Sequence, residues 1–180
     1  MRVISGKLKG RAIKGFNIEG TRPTMDRVKE SVFASIQDKI SDSIVLDLFA
    51  GSGNLGIEAI SNGADSCYFV DSNYECIKVI KDNIKMFDIE KQCILFNGDY
   101  HDALRKFRDN KLKFDIIFID PPYKYQLKNK LLNQIKEYNL LNDGGIIVFE
   151  YQVEEELADN IDFELIRNKK YGDKFVSIYK

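Results

Sequence analysis

The sequence predicts an α/β fold: a doubly wound, mostly parallel sheet, with an antiparallel C-terminal strand pair and a small N-terminal β-hairpin plus helix. Three observations carry this. From Ile44 onward, short apolar runs alternate with stretches whose apolar residues recur at helical spacing. One run, Phe114–Ile119, is nearly all apolar, as expected of a strand covered on both faces. The last two runs, Phe163–Arg167 and Lys174–Tyr179, lie close enough together to read as an antiparallel pair.

Taken in order, Arg2–Ser5 and Arg11–Lys14 read as two short strands around a Gly-Lys-Leu-Lys-Gly turn. Thr24 then reads as a helix N-cap, and Met25, Val28, Val32, Phe33, Ile36 and Ile40 follow at helical spacing. Ile44–Phe49 is the first strand of the main sheet. The helix through Leu55–Ile60 stops at Asn62-Gly63, a C-cap signal. Cys67–Val70 is the next strand, and Ile77, Ile80 and Ile84 mark the helix behind it. Cys93–Phe96 makes a third strand, followed by a helix carrying Ala103, Leu104 and Phe107. After Phe114–Ile119, a helix near Leu127–Ile135 leads through Gly144-Gly145 to a strand at Ile146–Glu150. Alternation of this kind implies a parallel sheet with helices on both faces, and ligands then bind beyond the carboxyl ends of the strands.

At 180 residues the chain fits one domain, read as an N-terminal basic hairpin and helix (1–40) packed on a core (41–180) as one structural unit. No run is long and apolar enough to span a bilayer, and the N-terminus lacks the apolar region of a secretory signal, so a cytoplasmic protein away from membranes is expected. Cys67, Cys76 and Cys93 match neither a zinc pattern nor a disulfide framework and read as buried reduced thiols; no metal is expected. His101, the single histidine, has no sequence-adjacent catalytic partner. The net charge of −1 hides an asymmetry: residues 1–30 hold eight bases against three acids, and the rest is acidic. A basic arm suggests a polyanionic partner met by the N-terminus, while the acidic body argues against nonspecific DNA coating.

Asp47-Leu48-Phe49-Ala50-Gly51-Ser52-Gly53-Asn54-Leu55-Gly56 contains GxGxxG between a strand and a helix, a pattern also found in dinucleotide-binding folds. Asp47 separates the two readings. A dinucleotide sets an anionic pyrophosphate over this loop, which a carboxylate repels. S-adenosylmethionine brings an ammonium and a sulfonium, which a carboxylate attracts. Asp47, Phe49, Gly51, Ser52 and Gly53 are therefore assigned to this donor, whose product is S-adenosylhomocysteine. Asp71, with Ser72 beside it, ends the second strand, where an acid can accept both hydroxyls of a ribose. Asp99 and Tyr100 follow the third strand, where Asp99 can meet the adenine amino group or cap the next helix.

Asp120-Pro121-Pro122-Tyr123 follows the apolar strand. The prolines stiffen the turn and leave carbonyls as acceptors. An exocyclic amino group of a base is a weak nucleophile, because its lone pair is delocalised into the ring. Accepting its two N–H hydrogens with the Asp120 carboxylate and a proline carbonyl aims the lone pair at a methyl group. Tyr123 would stack on the extruded base.

These motifs together resemble the class I amino-methyltransferases of nucleic acids. Arg2-Val3-Ile4-Ser5-Gly6, Gly10-Arg11 and Thr21-Arg22-Pro23-Thr24-Met25-Asp26-Arg27-Val28-Lys29-Glu30 resemble, more closely, the bacterial 16S rRNA guanine-N2 methyltransferases of the RsmD type, over essentially the whole chain. The resemblance implies a Rossmann-like methyltransferase sheet and a cytoplasmic enzyme that methylates N2 of one guanine in small-subunit (16S) rRNA during ribosome assembly; the expected partner is that rRNA within a small-subunit ribosomal particle, met by a monomer. It also implies that Thr24 helps cover the cofactor, that Arg22 and Arg27 line that side, and that Arg2, Lys7, Lys9 and Arg11 touch phosphates. Three rivals share the motif or the fold. An adenine-N6 DNA or RNA methyltransferase would use the same tetrapeptide, but no separate recognition domain is present. A catalytically silent rRNA-binding assembly protein would have no need of Asp47, Asp71 and Asp120. A protein-glutamine methyltransferase typically carries Asn where Asp120 stands.

Overall fold

In the computed structural model the described residues are 1–15, 22–121, 127–152 and 162–180, with the backbone alone for 22–25. Seven strands form one sheet: β1 (Ile44–Leu48), β2 (Ser66–Asp71), β3 (Cys93–Asn97), β4 (Phe114–Ile119), β5 (Leu141–Tyr151), β6 (Leu165–Tyr171) and β7 (Lys174–Tyr179). Their order is β3-β2-β1-β4-β5-β7-β6. The first five run parallel, and β7 pairs antiparallel with both β5 and β6. The order reverses between β1 and β4, so the switch-point crevice opens above those two strands.

Two apolar layers sandwich the sheet. One face carries Val45, Phe69, Phe118, Val148 and Val176, under α1 (Arg22–Ser35), α2 (Gln37–Ile40), α3 (Asn54–Ser61) and α4 (Tyr74–Phe87). The other carries Leu46, Leu48, Ile117, Ile119 and Phe149, under α5 (Tyr100–Asp109) and α6 (Lys128–Glu137). Strand residues alternate between faces, so the direction of these apolar side chains also fixes where the polar residues at the strand ends project. The C-cap expected at Asn62-Gly63 is present, with Gly63 at φ +103°.

Three local expectations are corrected. The N-terminal strands reduce to a single bridge, Arg2 to Ala12, around a 3-10 turn at Gly6–Leu8. Side chains of α3 take the groups a longer ladder would use: Glu58 accepts the N–H of Ile4 and Ser5, and Ser61 Oγ accepts that of Leu8 at 2.9 Å. A Cβ on Gly6, at φ +75°, would lie 1.9 Å from the Ser61 carbonyl oxygen, so only glycine lets the turn approach α3 this closely. Thr24 lies inside α1, which already begins at Arg22, and so is not its N-cap. β5 starts at Leu141 rather than Ile146, running through Gly144-Gly145 with a register shift against β4. Cys67 and Cys76 are buried free thiols and Cys93 is half-buried; burial pushes Cys76 up to about 11 and Cys93 up to about 12.

Candidate active site

A row of carboxylates crosses the carboxyl ends of four neighbouring strands. Parallel register pairs Asp47 with Phe69 and with Phe118, and Ile119 with Phe149. Phe69, Phe118 and Val148 all face the α1–α4 layer. By alternation, Asp71 (β2), Asp47 (β1), Asp120 (just past β4) and Glu150 (β5) project to that same face. Lys174 of β7 continues the row and is ion-paired with Glu150.

The glycine loop is shaped by its backbone. Phe49 holds φ at +71°, a conformation that costs a β-carbon residue on the order of 1–3 kcal/mol. The N–H groups of Phe49 and Ala50 both donate to the Val70 carbonyl, at 3.0 and 2.9 Å, which stabilises this turn out of β1. The Phe49 ring lies 5.3 Å from that of Tyr100. Gly51 has φ +56°, and a Cβ there would meet nothing within 4 Å, so the loop leaves open space above it. Gly53 caps α3 at φ +78°. Gly56 has a packing role: a Cβ would lie 2.3 Å from the Phe69 ring.

Asp47 is buried, and its Oδ2 accepts the Gly56 N–H at 2.9 Å, so it does brace the turn. Burial, with Asp71 adding to it against the Gly56 hydrogen bond, raises its carboxyl to about 7. Asp71 accepts the Gly51 N–H and the Asn73 N–H, each at 2.8 Å, which leaves lone pairs on both oxygens for a diol. Asp99 accepts the His101 N–H at 2.8 Å as the N-cap of α5 and remains exposed. Ser72 is exposed, and Ser52 is buried with its carbonyl accepting from Asn83 Nδ2 at 3.1 Å. Asp120 is half-buried and Pro121 buried. Burial, then the proximity of Glu150 and Asp47, raises the Asp120 carboxyl to about 8, against the opposing pull of Lys174. Pro122 and Tyr123 lie outside the described residues, as do the side chains of Arg22 and Thr24.

The basic residues fall in two places. Arg2 is ion-paired with Asp26 at 3.4 Å, one residue before Arg27 on α1. Lys7 donates to Gln92, just ahead of β3, at 3.0 Å. Arg11 donates to the Met86 carbonyl at 2.5 Å and stacks 4.5 Å over Phe87, at the end of α4. Lys7, Lys9 and Arg11 thus sit where the strands begin, a strand length of about 17 Å from the carboxylate row. The structure does not bring them to Asp120.

Sequence reasoning missed the network that fastens the N-terminus. Lys29 Nζ donates to Glu58 Oε2 at 2.8 Å, to the Arg2 carbonyl at 2.7 Å and to Asn54 Oδ1 at 2.7 Å. Both charged side chains are almost wholly buried, at 2% and 0% exposure. Burial lowers the Lys29 ammonium, with Glu58 and then Asp26 opposing. The available signal was Glu58 itself, a charge inside the apolar run Ile57–Ile60 that burial would require to be paired.

A loop whose nearest fixed charges are carboxylates and whose glycines leave open space suits a cationic ligand carrying a ribose. The fold and this site define a class I S-adenosylmethionine-dependent methyltransferase. The chain belongs to the family described as "Conserved hypothetical protein 95", whose model matches residues 1–180. It is 43% identical to "Putative rRNA methyltransferase YlbH" of Bacillus subtilis, covering 100% of this chain and 98% of that one. It is 32% identical to "Ribosomal RNA small subunit methyltransferase D" of Haemophilus influenzae, covering 100% and 93%. Among solved structures it superposes on "Putative methyltransferase yhhF from Escherichia coli" with a TM-score of 0.83 at 29% identity, covering 99% and 96%.

The raised Asp47 carboxyl is expected to make binding of a cationic donor pH-dependent. Both Asp47 and Asp120 hold protons to higher pH in the folded chain than the ordinary 3.8, so their contribution to the stability of the donor-free protein is fully present below about pH 4 and is lost as pH rises through about 7 to 8. A cationic donor at Asp47 would favour its ionised form. Its affinity, measured by calorimetric titration, should therefore rise by up to about tenfold per pH unit below neutrality. Affinity independent of pH would show that Asp47 does not face the donor's charge.

Proposed function

We propose that this chain transfers a methyl group from S-adenosylmethionine to the exocyclic N2 amino group of one guanine in small-subunit (16S) rRNA, as a cytoplasmic monomer acting on a small-subunit ribosomal particle. The observation that carries the reading is Asp120, held at the end of β4 on the same sheet face as Asp47 and Asp71. Asp71, Asp47 and the glycine loop would hold the donor; bound there, it supplies an electrophilic methyl group. Asp120 and the Pro121 carbonyl would accept the two amino hydrogens and orient the nitrogen lone pair, and the carboxylate would stabilise positive charge developing on nitrogen. Tyr123 would stack on the base. The names of the relatives in Bacillus and Haemophilus support rRNA as the substrate.

The test is methyl transfer from labelled donor to rRNA or small subunits lacking the modification, followed by nucleoside analysis. N2-methylguanosine is expected; N6-methyladenosine or no label overturns the reading.

The remote cations would serve phosphates of an RNA segment distant from the target base. Replacing Lys7, Lys9 and Arg11 together with Ala should weaken RNA binding and flatten the slope of log affinity against log salt by about 2 to 3, with turnover at saturating RNA retained. An unchanged slope in filter binding would remove the turn from the RNA interface.

A further inference from the structure

The carboxylate row does not stop at the residue that meets the amino group. Asp120 and Glu150 occupy consecutive in-register positions past Ile119 and Phe149 on adjacent parallel strands, and both face the α1–α4 layer. Antiparallel register then pairs Glu150 with Val176 on β7, and Lys174, two residues away on the same face, is ion-paired with Glu150. Both side chains of this pair are largely buried, at 15% and 16% exposure, where charge and hydrogen bonding discriminate more sharply than in water. Across the sheet the order is acceptor, acceptor, donor: Asp120, Glu150, Lys174.

We propose that Glu150 and Lys174 are specificity-determining residues that read the pairing edge of the guanine whose 2-amino group lies at Asp120. This rests on the functional reading above. The pairing edge of guanine presents, in sequence, the N2 amino donor, the N1–H donor and the O6 acceptor. Laid along the row, N1–H donates to Glu150 and Lys174 donates to O6 while Asp120 takes the amino group. Adenine and cytosine also carry an exocyclic amino group, but the ring nitrogen next to it on the pairing edge is an acceptor. In either base that lone pair would face the Glu150 carboxylate, two acceptors with no proton between them. The row therefore admits one of the three amino-bearing bases, and it does so by repulsion as well as by attraction.

The experiment uses the full-length protein and reconstituted small subunits that carry, at the mapped target position, either guanosine or 2,6-diaminopurine riboside. The analogue keeps the reacting 2-amino group but replaces N1–H by a bare acceptor and O6 by an amino donor. The wild type should methylate the guanosine particle faster by on the order of 10²-fold. The isosteric Glu150→Gln variant, whose amide can donate to a bare N1, should shrink that ratio at least about tenfold while binding S-adenosylmethionine normally. Lys174→Met should slow guanosine turnover and shrink the ratio in the same direction. A wild-type ratio near unity overturns the proposal without any variant. A large ratio that Glu150→Gln leaves unchanged overturns it too, and shows that the pair only closes the sheet end. In both cases, continued formation of N2-methylguanosine leaves the functional reading standing; wild-type particles labelled elsewhere, or not at all, remove both.

Discussion

Asp120→Ala should lower methyl transfer by on the order of 10²- to 10³-fold, with S-adenosylmethionine affinity within about threefold of wild type. The variant removes the acceptor proposed to orient the amino nitrogen and the charge proposed to offset its developing positive charge. It leaves intact Asp71 with its two backbone hydrogen bonds and the Gly51–Gly53 loop. A second readout separates this role from a structural one. Burial raises the Asp120 carboxyl to about 8, so its ionised form is held in the donor-free protein at a cost in stability. Asp120→Asn should accordingly raise the melting temperature of the donor-free protein near pH 8 while reducing turnover, a trade of stability for activity at one atom pair. Normal turnover with lost donor affinity would reassign Asp120 to the cofactor site.

Glu58→Ala should destabilise the protein by about 3–5 kcal/mol, or roughly 10–15 °C in Tm, the largest stability loss expected from a polar position. The substitution strands several groups at once. The Lys29 ammonium, which donates to Glu58 at 2.8 Å, becomes a buried charge without its counter-ion. The N–H groups of Ile4 and Ser5, donating at 2.9 and 2.8 Å, lose their acceptor. With them goes the hairpin that covers α3. Glu58→Gln keeps an acceptor and should cost less, and combining it with Lys29→Met should cost less than the sum of the two single changes. Thermal denaturation of the wild type and these four variants measures this; a loss below about 1 kcal/mol for Glu58→Ala would show that the pair contributes little net stability.

These two positions mark the difference between what the sequence made legible and what it did not. The parallel strands were readable because Phe114–Ile119 and its neighbours are continuous apolar runs, and burial on both sheet faces forces that pattern. The carboxylates at strand ends followed from the topology, since an acid just past such a run lands in the switch-point crevice. The N-terminal segment was misread for a physical reason: Ser5-Gly6 resembles a strand ending in a turn, yet the N–H groups of Ser5 and Leu8 are satisfied by Glu58 and Ser61, more than fifty residues away. No local pattern encodes that. The same holds for Lys7 and Arg11, whose charges suggested nearness to substrate but whose partners, Gln92 and Met86, lie where strands begin. Glu150 and Lys174 were invisible because only antiparallel return of β7 beside β5 sets them next to Asp120.

Four acids sharing one edge of the sheet would let a positively charged methyl donor and an amino nitrogen meet between them. A crystal structure of the protein with S-adenosylhomocysteine tests this most directly. The ribose hydroxyls should lie within hydrogen-bond distance of Asp71, the amino-acid portion over Gly51–Gly53 near Asp47, and the sulfur towards Asp120. A ligand seated at the opposite end of the strands, or with its ribose away from Asp71, would contradict it.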